Sequence, residues 1–398
     1  MNKYKILAAV VATALMSVAG AASAQVAVNG GGASLPAGLY KGNNSIMPTT
    51  FTYAITGSGT GKKAFLTNDS ALFSTTGTVH FAGSDSILSG TGLPGDSGTE
   101  LATYNATYNV VGSANRYGPL SQFPMVATSV TIPFNKAGGD LALTDAQLCG
   151  VFSGQITQWS DIASDRSGAI EVIYRPESSG TSELLTRFLG AVCGAQAGST
   201  LKNGAFSVQS TFANLFVGNT VPANFTAAPA TGGTSLFNAV YAADGRIGYV
   251  GPDVVPNLSD ATKIAKLRNA SPNEVNVSVT LNSIAPPSTP EDIANPTKWV
   301  PVFTNPSAGY PIAGYTNLVI GQCYKNALVA ASLRGFLSTH FNEGVDGTND
   351  VKVRDHGFIP LTRAWREAVR NNLVLQASVN GLNNSTTCGT GTAAIGRP

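Results

Sequence analysis

The sequence predicts an α/β fold of two lobes joined by a two-strand hinge. Three observations carry that expectation. Short apolar runs end in turns rich in glycine and serine and then enter helical patterns, which is the alternation of a layered α/β fold. Two apolar, β-rich stretches, one near residue 127 and one near residue 314, each suit a strand passing between lobes. The chain of 398 residues is too long for one ordinary core and comfortable for two.

The first segment stands apart from the fold. Lys3 and Lys5 precede an apolar run over 6–19, and Ala22-Ser23-Ala24 supplies a small-residue cleavage site, so 1–24 reads as a secretory signal peptide. The mature protein is therefore expected in the periplasm or outside the cell. No cysteine at the cleavage site suggests a lipid anchor, and no later run is long and apolar enough to span a bilayer. Removing Lys3 and Lys5 leaves 22 basic against 22 acidic side chains. That balance offers no basic stripe to nucleic acid or to an anionic membrane, so any anion must be recognised by local geometry.

The elements follow in order. Asn29-Gly30-Gly31-Gly32-Ala33-Ser34 opens the mature chain with an unobstructed backbone. Residues 51–55 suit a strand running into Gly57-Ser58-Gly59-Thr60-Gly61, with a helix beginning over 62–66. Residues 79–83 suit a second strand, ending at Ser84-Asp85-Ser86. Residues 123–134 suit a buried crossing strand. Thr144 and Gln147 form a capping box that opens a helix through Phe152, and Ser153-Gly154 stops it. Residues 171–174 form a strand feeding Arg175-Pro176-Glu177-Ser178-Ser179-Gly180-Thr181-Ser182. Beyond it Leu184, Leu185, Phe188, Leu189 and Val192 share one helical face, a core stripe. Residues 245–250 form a strand, 286–296 a proline-rich loop, and 309–316 lead into a strand over 317–320 that crosses back. Helices over 327–341 and 361–373 close the chain. One lobe is thus expected from 25–126 with 316–398, and the other from 127–315.

Cys149, Cys193, Cys323 and Cys388 make an even count in an exported chain, which reads as two disulfides. Three pairings are possible. The first two cysteines lie in one half and the last two in the other, which favours Cys149–Cys193 and Cys323–Cys388. The cysteines are too far apart, and His80, His340 and His356 too scattered, to make a metal site, so each histidine is expected at the surface or behind a site.

Four turns carry the chemistry: Ala33-Ser34-Leu35, Gly57-Ser58-Gly59, Gly83-Ser84-Asp85, and Arg175 with Ser179-Gly180-Thr181. In open α/β sheets ligands bind beyond the carboxyl ends of the strands. Consecutive backbone N–H groups in such turns make a nest for an anion, and a helix start adds its own free N–H groups. Arg175 contributes a planar fork matched to two oxygens of a tetrahedral oxyanion, and Glu177 stands where it can steady that fork. The GSGTGKK run is no nucleotide loop, because Thr56 and Lys63 occupy positions where glycine and a hydroxyl residue are required.

Together with Asn29 to Pro36, Ala82 to Ser86, Leu148-Cys149-Gly150-Val151-Phe152-Ser153-Gly154, residues 174–188, Tyr310-Pro311-Ile312 and Gly357-Phe358-Ile359-Pro360-Leu361, these turns resemble the phosphate-binding proteins of phosphate ABC transporters. More narrowly, they resemble the DING branch. The resemblance covers nearly the whole mature chain. It implies the type II periplasmic binding protein fold, in which two lobes close on one inorganic phosphate. It also implies no cofactor and a monomer that serves a transporter permease. It assigns backbone N–H groups of Ser34 and Leu35, the hydroxyls of Ser34 and Ser58, an accepting Asp85, a bidentate Arg175, and Ser179, Gly180 and Thr181 from the opposite lobe. Ser34 stands where the family usually has threonine, and Ala27-Val28 where the branch has Asp-Ile. The favoured disulfide pairing also fits the branch. An accepting carboxylate requires a ligand that carries a proton, which hydrogen phosphate has and sulfate lacks. Such a site can reject the analogue by roughly 10⁴-fold. The alternative reading is a secreted, metal-independent alkaline phosphatase using the same oxyanion site. Against it, these turns hold no histidine base and no nucleophile elbow.

Overall fold

The computed structural model describes residues 26–88, 90 and 98–398. The signal peptide read over 1–24 lies outside them. Among the described residues eleven strands run in chain order: β1 (Gly30–Gly32), β2 (Ala54–Ile55), β3 (Phe81–Ser84), β4 (Leu120–Ser129), β5 (Phe134–Asn135), β6 (Ala142–Leu143), β7 (Glu171–Tyr174), β8 (Phe225–Ala227), β9 (Arg246–Gly248), β10 (Lys266–Leu267) and β11 (Ala313–Gly321). The first sheet has the order β2-β1-β3-β11-β4, parallel among β2, β1 and β3 and antiparallel at β11 and β4. The second has the order β5-β9-β7-β8, parallel among β9, β7 and β8. A two-stranded ladder, β6 with β10, completes the pairing.

The chain crosses between the two sheets where the sequence offered its two apolar β-rich runs. β4 and β11 are buried along their whole lengths, as strands covered on both faces must be, and they pair from Ala313↔Ser129 to Gly321↔Leu120. Past Ser129 the chain bridges Thr131 to Val250 and then enters the second sheet as β5. The return passes beside it: Val130 N–H donates to Ile312 O at 2.9 Å and the Tyr310 hydroxyl to Val130 O at 2.8 Å. One apolar core runs through both sheets, from Phe81 and Phe123 in the first to Phe134 in the second, and takes in Phe212 and Tyr249.

Several local expectations hold. The capping box at Thr144 and Gln147 opens the helix Asp145–Ser153, and Gly154 ends it in the left-handed conformation. β7 occupies the four residues read as a strand. Both disulfides join the favoured partners, Cys149–Cys193 and Cys323–Cys388, with Cα atoms 5.8 and 5.5 Å apart.

Others are corrected. The helix expected from Lys62 begins at Ser58, with Gly57 as its N-cap. The stretch 286–296, expected as loop, contains the helix Pro290–Ala294, capped by the Thr289 side chain accepting from Asp292 N–H and started by a proline that needs no hydrogen bond there. His80 and His340 are buried and not at the surface. His80 Nδ1 accepts from Asn29 N–H at 2.8 Å, and His340 Nε2 meets Met125 O at 2.9 Å, so both are spent on the backbone. Burial pushes the His80 imidazole down to about 4, with Arg397 adding to the shift. Among the described residues no three His, Cys, Asp or Glu side chains gather as a metal site, and no helix is long and apolar enough to cross a membrane.

Candidate functional site

The four turns meet at one place, the seam between the two sheets. From the first sheet come the carboxyl ends of three parallel strands. β1 ends in the Ser34-Leu35 turn, held by Ala33 N–H to Gly83 O at 2.9 Å and by the Tyr53 hydroxyl to Ala33 O at 2.8 Å. After β2, Gly57 takes φ 85°, a value an L side chain adopts only with strain, and turns the chain so that Ser58 starts a helix. After β3 comes Asp85. Its N–H donates to Ser58 Oγ at 3.1 Å, and that hydroxyl reaches Asp85 Oδ2 at 3.5 Å.

The second sheet supplies the facing wall. β7 delivers Arg175, which is 1% exposed. Ser179 caps the helix Gly180–Val192, its hydroxyl accepting from Ser182 N–H at 3.4 Å. The first N–H groups of that helix and of the helix at Ser58 have no intrahelical acceptor, and both helices start at the seam with the positive end of the dipole there. Arg175 is fixed on two sides. Its Nε donates to Glu177 Oε1 at 2.5 Å, its Nη2 also contacts that oxygen, and the same carboxylate accepts from Gly232 N–H at 2.9 Å. Its own backbone N–H donates to the Tyr249 hydroxyl at 3.1 Å, which pairs with Ser182 Oγ at 2.7 Å.

The walls touch. Arg175 Nη2 donates to Ser34 Oγ at 2.9 Å. Gly180 packs so closely on Asp85 that a Cβ built on it would lie 2.3 Å from the Asp85 Cβ. All eight predicted contact residues are thus brought to the seam, Ser34 half-buried and the rest buried, and Glu177 bonds Arg175.

Electrostatics single out Asp85. Burial pushes its carboxyl up to about 6, against the lowering influence of Thr316, Arg175 and Ser58, while Glu183 adds to the rise. Thr316 sits at the register shift in the pairing of β11 with β4. It lies near enough to act on the carboxyl but out of alignment, so Thr316 Oγ1 and Asp85 Oδ1 are both buried without a hydrogen-bond partner. The sequence reading missed a second acid here. Asp253, half-buried in the turn Pro252–Val254 after β9, is pushed up to about 7, chiefly by burial and further by Asp85, against its own backbone N–H and the pull of Arg175. Gly251-Pro252-Asp253 reads in sequence as an ordinary turn, and only the fold brings it here.

The space around the site is divided. Asp85 lines a cavity of about 20 Å³ with Ile87, Leu184 and Phe303 among its walls. A cleft of about 750 Å³ lies outside it, between the helices Ser58–Thr67 and Gly180–Val192, lined by Gly59, Lys62, Lys63, Glu183 and Arg187 among others. None of the eight contact residues lines that cleft. The three histidines bond elsewhere, His356 Nε2 to Asn43 O at 3.0 Å.

Known proteins share this architecture. The sequence profile of the PBP superfamily domain matches residues 18–339. Alkaline phosphatase L of Pseudomonas aeruginosa PAO1 is 48% identical over 384 residues, covering 95% of this chain and 97% of that protein. The structure of a phosphate-binding protein from Stenotrophomonas maltophilia matches with a TM-score of 0.87 at 62% identity, covering 94% of this chain and all of that one. A periplasmic phosphate-binding protein, PfluDING, solved with phosphate bound, matches with a TM-score of 0.81 at 39% identity, covering 94% of this chain and all of its own.

Proposed function

The chain belongs to the PBP superfamily and groups there with the DING proteins, and on that premise we propose that it is an exported phosphate-binding protein whose two lobes close on hydrogen phosphate. The lobes are 25–126 with 316–398, and 127–315. Arg175 grips two ligand oxygens, Ser34 and Ser58 give hydroxyls, and the backbone N–H groups of Leu35, Gly180 and Thr181 complete the cage with Ser179. Asp85 accepts a hydrogen bond from the ligand's hydroxyl. The protein acts as a periplasmic monomer that delivers its ligand to the permease of an ABC transporter.

The observation that carries this reading is the pairing, in one enclosed seam, of a braced arginine fork with a buried carboxyl that still has a free oxygen. A fork alone would suit any oxyanion. The facing carboxyl selects one that brings a proton, so sulfate is excluded. Binding is favoured over ester hydrolysis because none of the contact residues lines the large cleft and each histidine is already engaged. A leaving group needs room beside the phosphate, and a general base must sit within hydrogen-bond reach of the nucleophile.

The test is calorimetric titration of protein stripped of ligand by partial unfolding, with phosphate, sulfate and a phosphomonoester in parallel. Tight binding of phosphate alone is the expected outcome. Consumption of the ester with release of inorganic phosphate, alongside weak phosphate binding, would replace this reading with that of a phosphatase.

A further inference from the structure

Thr316 is the strand neighbour of Asp85. In the ladder of β11 with β3, Leu318 stands opposite Gly83 and Asn317 opposite Ser84, so the same antiparallel register continued by one residue sets Thr316 beside Asp85. Cross-strand neighbours carry their Cβ atoms about 5 Å apart, within reach of a hydroxyl and a carboxyl. Thr316 is 0% exposed and Asp85 4% exposed, so neither can turn to water instead. Thr316 Oγ1 and Asp85 Oδ1 are buried and lack an aligned hydrogen bond. The Tyr40 hydroxyl is in the same position. Its ring packs edge-on against Tyr53, with centroids 5.1 Å apart, and the Tyr53 hydroxyl lies against Gly83, two residues before Asp85.

Buried polar atoms without partners are costly, and these are complementary. A carboxylate oxygen only accepts, a buried phenol keeps its proton, and a threonine hydroxyl both donates and accepts. We propose that Thr316 is a positioning residue for Asp85, whose hydroxyl donates to Oδ1 and holds the carboxyl as an acceptor, so that the site refuses an anion without a proton. Oδ1 has two lone pairs, so this bond leaves room for the ligand's hydroxyl. The inference rests on the phosphate reading above and deepens its selectivity. Protonated Asp85 would donate, and sulfate would then fit. Burial favours that state, as does Glu183 from the helix Gly180–Val192. Of the groups opposing it Thr316 acts most strongly, ahead of Arg175 and Ser58. The other titratable groups that sense Asp85, namely Tyr40, Tyr53 and Asp253, bring no positive charge.

The experiment is competition of sulfate against inorganic phosphate in the wild type, Thr316→Val, Thr316→Ala and Thr316→Ser between pH 5.5 and 8.5. Unfolding midpoints are measured in parallel to exclude misfolding. Valine keeps the shape of threonine and lacks the hydroxyl. Sulfate, which needs a protonated Asp85, gains from anything that makes the free carboxyl easier to protonate, whereas phosphate brings its own proton. Near pH 7.5 Thr316→Val and Thr316→Ala should bind sulfate about tenfold more tightly than the wild type, the effect of losing one hydrogen bond to a charged acceptor. Phosphate affinity should stay within a few-fold. The fall of sulfate affinity with rising pH should begin about one pH unit higher in these two variants. Thr316→Ser should keep the wild-type ratio, and adding Thr316→Val to Asp85→Asn should not change the ratio further. A residue that only packs would weaken both anions alike. An unchanged ratio in Thr316→Val and Thr316→Ala, or the same fall in Thr316→Ser, overturns the inference while leaving the phosphate reading intact. A wild type that binds no phosphate overturns both.

Discussion

Arg175 Nη2 donates to Ser34 Oγ at 2.9 Å, across 141 residues of sequence and from one sheet to the other. The contact puts the strongest donor of the seam on the turn that closes over the opposite side. Lysine keeps the charge and loses the fork, so Arg175→Lys is expected to weaken phosphate binding by roughly 100-fold, about 3 kcal/mol for two charge-assisted hydrogen bonds. Ser34→Thr, which retains the hydroxyl, should bind within a few-fold of the wild type. Calorimetric titration reads both, and wild-type affinity in Arg175→Lys would show that the fork does not grip the ligand.

Asp85 governs selectivity. Asp85→Asn replaces one acceptor with a group that can also donate, so the penalty against an unprotonated oxyanion should largely vanish. The ratio of phosphate to sulfate affinity is expected to fall by two orders of magnitude or more, mostly through tighter sulfate binding. Competition of sulfate against phosphate measures it. An unchanged ratio would falsify the account of Asp85 as the proton acceptor.

The same residue makes a prediction about stability. Its folded-state value of about 6 lies above the ordinary carboxylate value, so between about 4 and 6 the folded protein binds more protons than the unfolded chain. Stability is therefore lost as pH rises through that window, by about 3 kcal/mol from this group. The ligand-free Asp85→Asn variant lacks that loss. Urea unfolding at pH 4.5 and pH 8 should show the variant gaining on the wild type toward pH 8. A constant difference between the two proteins at both pH values would mean Asp85 does not titrate with folding.

Much of this seam was legible because its parts obey local rules. Strand, small-residue turn and helix start are adjacent in sequence, so Ser34, Ser58, Asp85 and Ser179 could be found one turn at a time. Asp253 could not, because its neighbours Leu35 and Gly357 lie far off in sequence and no periodicity links them. The helix from Ser58 was placed late because Ser58-Gly59-Thr60-Gly61 has poor intrinsic propensity. Packing overrides that: the helix lies so close to β1 that a Cβ on Gly61 would stand 2.4 Å from the Gly32 Cα. The helix at Pro290 did carry a signal, a threonine cap with proline first and acids after it, which the surrounding prolines obscured.

Cys149–Cys193 ties the middle of the helix Asp145–Ser153 to the residue that follows the helix Gly180–Val192. The second helix presents Ser179, Gly180 and Thr181 at its other end. The bond closes a loop with a sequence separation of 44, and loops of that size stabilise by about 4 kcal/mol at best. Replacing both cysteines with alanine should lower the unfolding free energy by up to that amount. The preference for phosphate over sulfate should survive, because the cap and first turn are held by Ser182, Tyr249 and Ser210 independently of the disulfide. Denaturation and competition binding on the same sample separate the two effects. A loss of selectivity without a loss of stability would reverse the assignment.

Gly180 tests closure itself. In the shut seam the nearest atoms to a Cβ at this position all belong to Asp85: its Cβ at 2.3 Å, its carbonyl carbon at 2.7 Å and its Cα at 2.8 Å. Two of these are main-chain atoms, which cannot rotate away. Gly180→Ala leaves the helix intact, since alanine is the better helix former, and it should barely change the ligand-free unfolding midpoint. Its methyl group must instead hold the two walls apart, which separates Arg175 from Ser34 and opens the cage to water. Phosphate affinity is expected to fall by well over tenfold, and solution scattering with phosphate present should show a more extended particle than the wild type. Wild-type affinity in this variant would mean that ligand is bound with the walls apart, and that the contact between Gly180 and Asp85 is no part of the binding state.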